Sequence, residues 1–109
     1  PGLDTHPGHD IARRQQDGFG AMVSFELVGG VDNVKALLGH MELFSLAESL
    51  GGVESLVAHP ASMTHAAMDE AARERAGISA TRVRLSSGIE EGDDLVRDLS
   101  AGLAAATRV

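Results

Sequence analysis

Between residues 82 and 106 the hydrophobic pattern changes period once, and this restricts the chain to mixed α and β structure. From Arg82 to Ser86, Val83 and Leu85 fall on one face and Arg82, Arg84 and Ser86 on the other, the period of two that a strand requires. From Glu91 to Ala106, Leu95, Leu99 and Leu103 recur every fourth residue, and Val96 and Ala106 widen the stripe of an amphipathic helix. Asp93 and Asp94 fall in its first turn, where the helix dipole favours negative charge. A second alternating run, Met22–Leu27, sets Val23, Phe25 and Leu27 opposite Met22, Ser24 and Glu26, and Gly29-Gly30 ends it.

Three further helices are expected. Thr5 or His6 caps the first, with Pro7 in its opening turn, where a missing N–H costs nothing, and Gly18 at its stop. Asp32 or Asn33 caps the second, which carries Val34, Leu37 and Leu38 and is closed by Gly39. Asp69–Ala76 forms the third, acidic at its start, with Arg73 and Arg75 near its end and Gly77 after it. Leu43–Ala47 and Ser55–His59 are short strands separated by the turn Gly51-Gly52, and Pro60 stops the second of them. The order helix, strand, helix, two strands, helix, strand, helix gives an α+β domain: a small antiparallel-rich sheet with helices on one face. A chain of this mass folds to roughly 5,700 Å² of accessible surface from about 16,000 Å², enough for one modest core. Residues 1–109 are therefore read as a single domain or part of one.

Charge and composition exclude several function classes. Nine Lys+Arg against 16 Asp+Glu leave a net charge of −7, which lacks the basic stripe that nucleic acid needs and disfavours anionic membranes. Aromatic residues are 3% of the chain, too few for a base-stacking platform. No apolar run is long enough to cross a bilayer. The start at Pro1-Gly2-Leu3 reads as the inside of a longer protein, with no signal peptide visible. With no cysteine there is no disulfide framework and no thiolate chemistry, a composition compatible with the cytosol. His6 and His9, and His59 and His65, are spaced for local turn and capping roles rather than for three or four convergent metal ligands, so no metal site is expected. On the sheet face left without helices, Arg84 is either solvated or points into a site, where its guanidinium can hold a carboxylate through two parallel hydrogen bonds.

Five blocks narrow this further: HPGHDIA (His6–Ala12), GFGAMVSFEL (Gly18–Leu27), LFSLAESLGGVESL (Leu43–Leu56), HPASMTH (His59–His65) and RLSSGIEEGDDL (Arg84–Leu95). In this order they resemble the C-terminal domain of the Cys/Met-metabolism family of pyridoxal-phosphate (PLP) enzymes, which includes cystathionine γ-synthase, cystathionine γ- and β-lyases and methionine γ-lyase. The resemblance implies a fold like the small domain of fold-type I PLP transferases. It also implies a preceding large domain that carries the Schiff-base lysine and most of the cofactor contacts, and a tetramer built on dimers. The only lysine here is Lys35, in a short amphipathic helix, so the chain alone is not expected to be catalytic.

Four residues match the family's substrate-binding positions. By resemblance, Arg84 binds the substrate α-carboxylate, and Ser49 and Leu50 line the active site, the serine near the catalytic lysine. Glu48 stands where γ-synthases and cystathionine γ-lyases carry a glutamate, suited to the distal ammonium of cystathionine. Without the resemblance, Ser49 also suits a turn before Gly-Gly and Glu48 an exposed strand end. The family's pattern is broken at Arg82, where an apolar residue is commoner, and at Ser87, which replaces valine or threonine. The implied function is γ-elimination or γ-replacement on cystathionine-type amino acids in the cytoplasm. A non-catalytic amino-acid-binding regulatory module and a purely structural fragment are the alternatives.

Overall fold

The computed structural model describes residues 1–63, 69–76 and 79–108. Its elements run α1 (His9–Gln15), β1 (Met22–Glu26), α2 (Val31–His40), β2 (Ser45–Leu46), β3 (Leu56–Ala58), α3 (Glu70–Arg75), β4 (Arg82–Ser86) and α4 (Gly92–Ala106). Gly77, expected to end α3, and His65 lie outside the described residues. The four strands form one sheet in the order β1-β4-β3-β2. β4 runs antiparallel to both β1 and β3, pairing Ser24 with Arg84 and Met22 with Ser86 on one side and Ala58 with Arg84 on the other. β2 and β3 are parallel, so residues 47–55 do not close a hairpin at Gly51-Gly52 but carry the chain back as an open loop. β3 lies inside the sheet, and Leu56, Val57 and Ala58 are all buried.

One face of β4 builds the core. Val83 and Leu85 pack with Val57, Phe44, Val34, Leu37 and Met41 of α2 and its exit, and Leu95 and Ala106 of α4; Phe25, Leu27, Leu38 and Leu99 close the edges. Val23 points the same way but is half exposed, because β1 is an edge strand. Arg84 and Ser86 therefore face away from α2 and α4.

Several boundaries differ from those expected, each for a local reason. Residues before α1 form turns in which His6 Nδ1 accepts the Gly8 N–H (2.9 Å), so the helix starts at His9 rather than at Pro7. Gly30 precedes α2, and Asn33 works from inside it: its Oδ1 accepts the Gly30 N–H, and its amide donates to the Ala106 carbonyl, each at 2.9 Å. α2 runs through Gly39 and stops when the next amides change partner. Glu42, Leu43 and Phe44 donate their N–H groups to the carboxylate of Asp98 at 2.7, 2.9 and 3.1 Å. The same contacts delay β2 to Ser45.

The apolar stripe of α4 also differs. Leu95, Asp98, Gly102, Ala105 and Ala106 are buried, whereas Val96 is 63% and Leu103 36% exposed. Leucines four apart drift by about 40° per step on a helix of 3.6 residues per turn, which carries Leu103 off the core face. Gly102 takes that place. A Cβ there would lie 2.8 Å from Leu37 Cδ1 and 3.0 Å from Met41 Cγ, so the glycine sets how closely α2 and α4 approach.

Two substitutions test this packing. Gly102→Ala gains helix propensity worth about 1 kcal/mol, but overpacking costs about 1–3 kcal/mol. Because Leu37 is fully buried, a lower Tm is expected in thermal unfolding. Asp98→Ala removes the acceptor of three amides and should destabilise by about 2–3 kcal/mol in denaturant titration, with Asp98→Asn milder because one carbonyl oxygen remains.

Candidate functional site

The face of β4 opposite the core meets the 47–55 loop. Arg84 Nη2 donates to the main-chain carbonyls of Glu48 (3.0 Å) and Ser49 (3.3 Å). Two residues on, Ser86 Oγ accepts the Gly51 N–H at 2.8 Å. Both groups come from the same side of one strand because side chains two apart on a strand point the same way. Arg84 is half-buried. Its Nε and Nη1 donors have no partner among the described residues.

The residues singled out from the sequence come together unequally. Glu48, Ser49 and Leu50 all lie in the loop beside Arg84, but Arg84 meets the carbonyl oxygens of Glu48 and Ser49, not their side chains. All three loop residues are exposed, Leu50 by 55%. The loop's outer surface continues into exposed Val53 and Ile89, joined by a hydrogen bond from Ile89 N to Val53 O of 3.0 Å. Leu46, at the end of β2, is exposed as well.

The far end of the loop is held by a second set of contacts. The Ser55 N–H and hydroxyl both donate to the Glu90 carboxylate, at 3.1 and 2.6 Å, and Ser55 Oγ accepts the Gly88 N–H at 2.8 Å. A Cβ on Gly88 would fall 2.1 Å from the Val53 carbonyl oxygen, so only glycine permits this approach. The Ser55 hydroxyl, with the backbone N–H groups of Glu90 and Ser55, holds the Glu90 carboxyl below the usual carboxylate range. Arg82 has its own explanation. It sits directly across from Glu26 on β1, and the 2.7 Å contact lowers the Glu26 pKa, first through the hydrogen bond and then through charge.

Two clefts lie elsewhere on the molecule, and neither includes Arg84. One of about 550 Å³ lies between the N-terminal segment and β1, and one of about 490 Å³ between the end of α2 and α4. Among the described residues no group of three or more His, Asp or Glu side chains is placed to hold a metal. His9 stacks on Phe19, and buried His59 meets the Ala80 carbonyl through Nε2 (2.6 Å) and Ser62 Oγ through Nδ1 (2.7 Å). No helix among the described residues is long and apolar enough to cross a membrane. Lys35 is exposed on α2, which packs on the opposite side of the sheet from Arg84.

A small mixed sheet thus presents an arginine and a main-chain loop on the face opposite its helical core. The family described as Cys/Met metabolism PLP-dependent enzyme matches residues 1–104, and the chain belongs to that family. It is 56% identical over 108 residues to cystathionine gamma-synthase of Escherichia coli (strain K12), covering 99% of this chain and 28% of that protein. It is 54% identical over 103 residues to an L-methionine gamma-lyase of Fusobacterium nucleatum subsp. polymorphum, covering 94% of this chain and 26% of that protein. Among solved structures, cystathionine gamma synthase from Xanthomonas oryzae pv. oryzae in complex with cystathionine matches with a TM-score of 0.89 and 63% identity, over 99% of this chain and 28% of that one. The chain thus spans little more than a quarter of the length of these relatives.

Ser86, Ser55, Glu90 and Asp98 were given no role from the sequence, although each fixes the loop or its approach. Ser86 had a signal, its place two residues from Arg84 on the same face. Glu90 and Asp98 had none, since a carboxylate near a helix start or within a helix ordinarily faces water.

The lowered pKa of Glu90 gives a pH test. Stability from this contact is complete above the ordinary carboxylate value, about 4.3, and disappears as pH falls through the lower folded value. Glu90→Gln should therefore be less stable than the parent chain at pH 7, with the gap closing under acid in parallel denaturant titrations. A gap constant from pH 7 to pH 3 would contradict the assignment.

Proposed function

We propose that this chain is the substrate-carboxylate-binding part of a PLP-dependent enzyme carrying out γ-elimination or γ-replacement on cystathionine-type sulfur amino acids. The observation that carries this reading is Arg84. Its Nη2 is held by the Glu48 and Ser49 carbonyls, and its Nε and Nη1 have no partner among the described residues, so a carboxylate can accept from one of them. Holding the carboxylate and turning the rest of the amino acid toward Glu48–Leu50 fixes the orientation of its Cα bonds, which is how positioning lowers a barrier. Ser49 and Leu50 form the wall beside the bound molecule. The Glu48 carboxylate, solvent-exposed here, attracts a distal ammonium and so favours cystathionine over uncharged thioethers.

The residues present do not fit the cofactor itself. The sole lysine, Lys35, is on the far side of the sheet, and the chain has no tyrosine or tryptophan to stack on a pyridine ring. In this reading the Schiff-base lysine comes from a large PLP-binding domain or chain, and the small sheet, antiparallel at two of its three pairings, is its fold-type I companion. The apolar loop exterior, with Leu50, Val53 and Ile89 exposed, supports a site completed by other polypeptide. A homotetramer in the cytoplasm is the corresponding assembly.

Arg84→Ala in the assembled enzyme tests the reading. Losing a hydrogen-bonded charged anchor costs about 2–5 kcal/mol, so L-cystathionine should bind at least roughly 30-fold more weakly while cofactor content, read from absorbance, stays the same. Unchanged affinity would overturn the role.

A further inference from the structure

We propose that Ser86 is a positioning residue for the carboxylate site, acting on Arg84 through the backbone of the 47–55 loop; the inference rests on the reading of Arg84 above. Ser86 is 2% exposed and shares its strand face with Arg84. Its hydroxyl oxygen accepts the Gly51 N–H at 2.8 Å, two residues after the Ser49 carbonyl that Arg84 grips. Gly51 has φ +80°, a conformation that side-chain-bearing residues rarely adopt, so the turn that presents this amide to Ser86 depends on glycine.

The rest of the loop is fixed at its ends. Before it, Asp98 holds the amides of residues 42–44, and Ser45 N–H donates to the Ser55 carbonyl at 2.9 Å. After it, Ser55, Glu90 and Gly88 interlock. Between those anchors, among the described hydrogen bonds, residues 48–52 touch β4 only through Arg84 and Ser86. A guanidinium on a long side chain has no orientation of its own. The two carbonyls set it, and the Gly51–Ser86 bond sets the carbonyls. Removing the hydroxyl leaves the Gly51 N–H without its acceptor and lets the carbonyls move. Arg84 then presents its remaining donors less well, although Ser86 never contacts the bound molecule.

The test uses the assembled, cofactor-loaded enzyme, titrated by calorimetry with L-serine and with ethanolamine, the same molecule without its carboxylate. Ser86→Ala should weaken L-serine by about three- to tenfold, the scale of one neutral hydrogen bond, and leave ethanolamine within twofold. Ser86→Cys, which keeps a heavy atom at the γ position but is a weak acceptor, should shift the two affinities in the same sense and provides the reading if the alanine variant does not fold. Equal weakening of both ligands, or no change in either, would overturn the positioning role. If Arg84→Ala changes the preference for L-serine and the Ser86 variants do not, this inference fails alone. If Arg84→Ala leaves the preference unchanged, the carboxylate reading fails and takes this one with it.

Discussion

One carboxylate determines where a helix stops and a strand begins. Asp98, buried in the last helix, receives the three successive amides of Glu42, Leu43 and Phe44. A buried charge is costly unless hydrogen-bonded, and three amide donors offset that cost while the N–H groups that follow α2 gain an acceptor. Phe44 enters the core from this bend. Ser45 and Leu46 then pair with β3, and the loop that follows is launched across β4. The neighbourhood of Arg84 is thus set by α4, on the other side of the sheet.

β4 carries both tasks of the domain on alternate residues. Val83 and Leu85 are buried in the core, and Arg84 and Ser86 hold the loop. A shift of one residue in pairing with β1 or β3 would exchange the two sets and lose both at once. The apolar face therefore enforces the placement of the polar one. Burial of Val83, with no exposed surface, fixes the side from which Arg84 emerges.

Most of this frame was legible, because it is written in side-chain periodicity. Alternation over residues 82–86 gave the strand and the direction of Arg84, and the eight elements follow the expected order. What could not be read involves partners that the sequence does not mark. Arg84 contacts carbonyl oxygens, which every residue possesses. Asp98 sits mid-helix, where aspartate usually means solvent. Gly51-Gly52 suggested a simple turn, but the turn serves a parallel return because Gly51 delivers its N–H to Ser86. The leucine spacing of α4 concealed Gly102, whose contribution is the missing side chain.

Arg84 and Ser86 grip the loop by its main chain, so the hold is indifferent to which side chains stand at positions 48, 49 and 50. Those three residues can be exchanged without dismantling the frame that presents them. On the proposed reading of Arg84 as the carboxylate anchor, selectivity for the far end of a ligand can drift over evolutionary time while recognition of the feature common to all amino acids is retained.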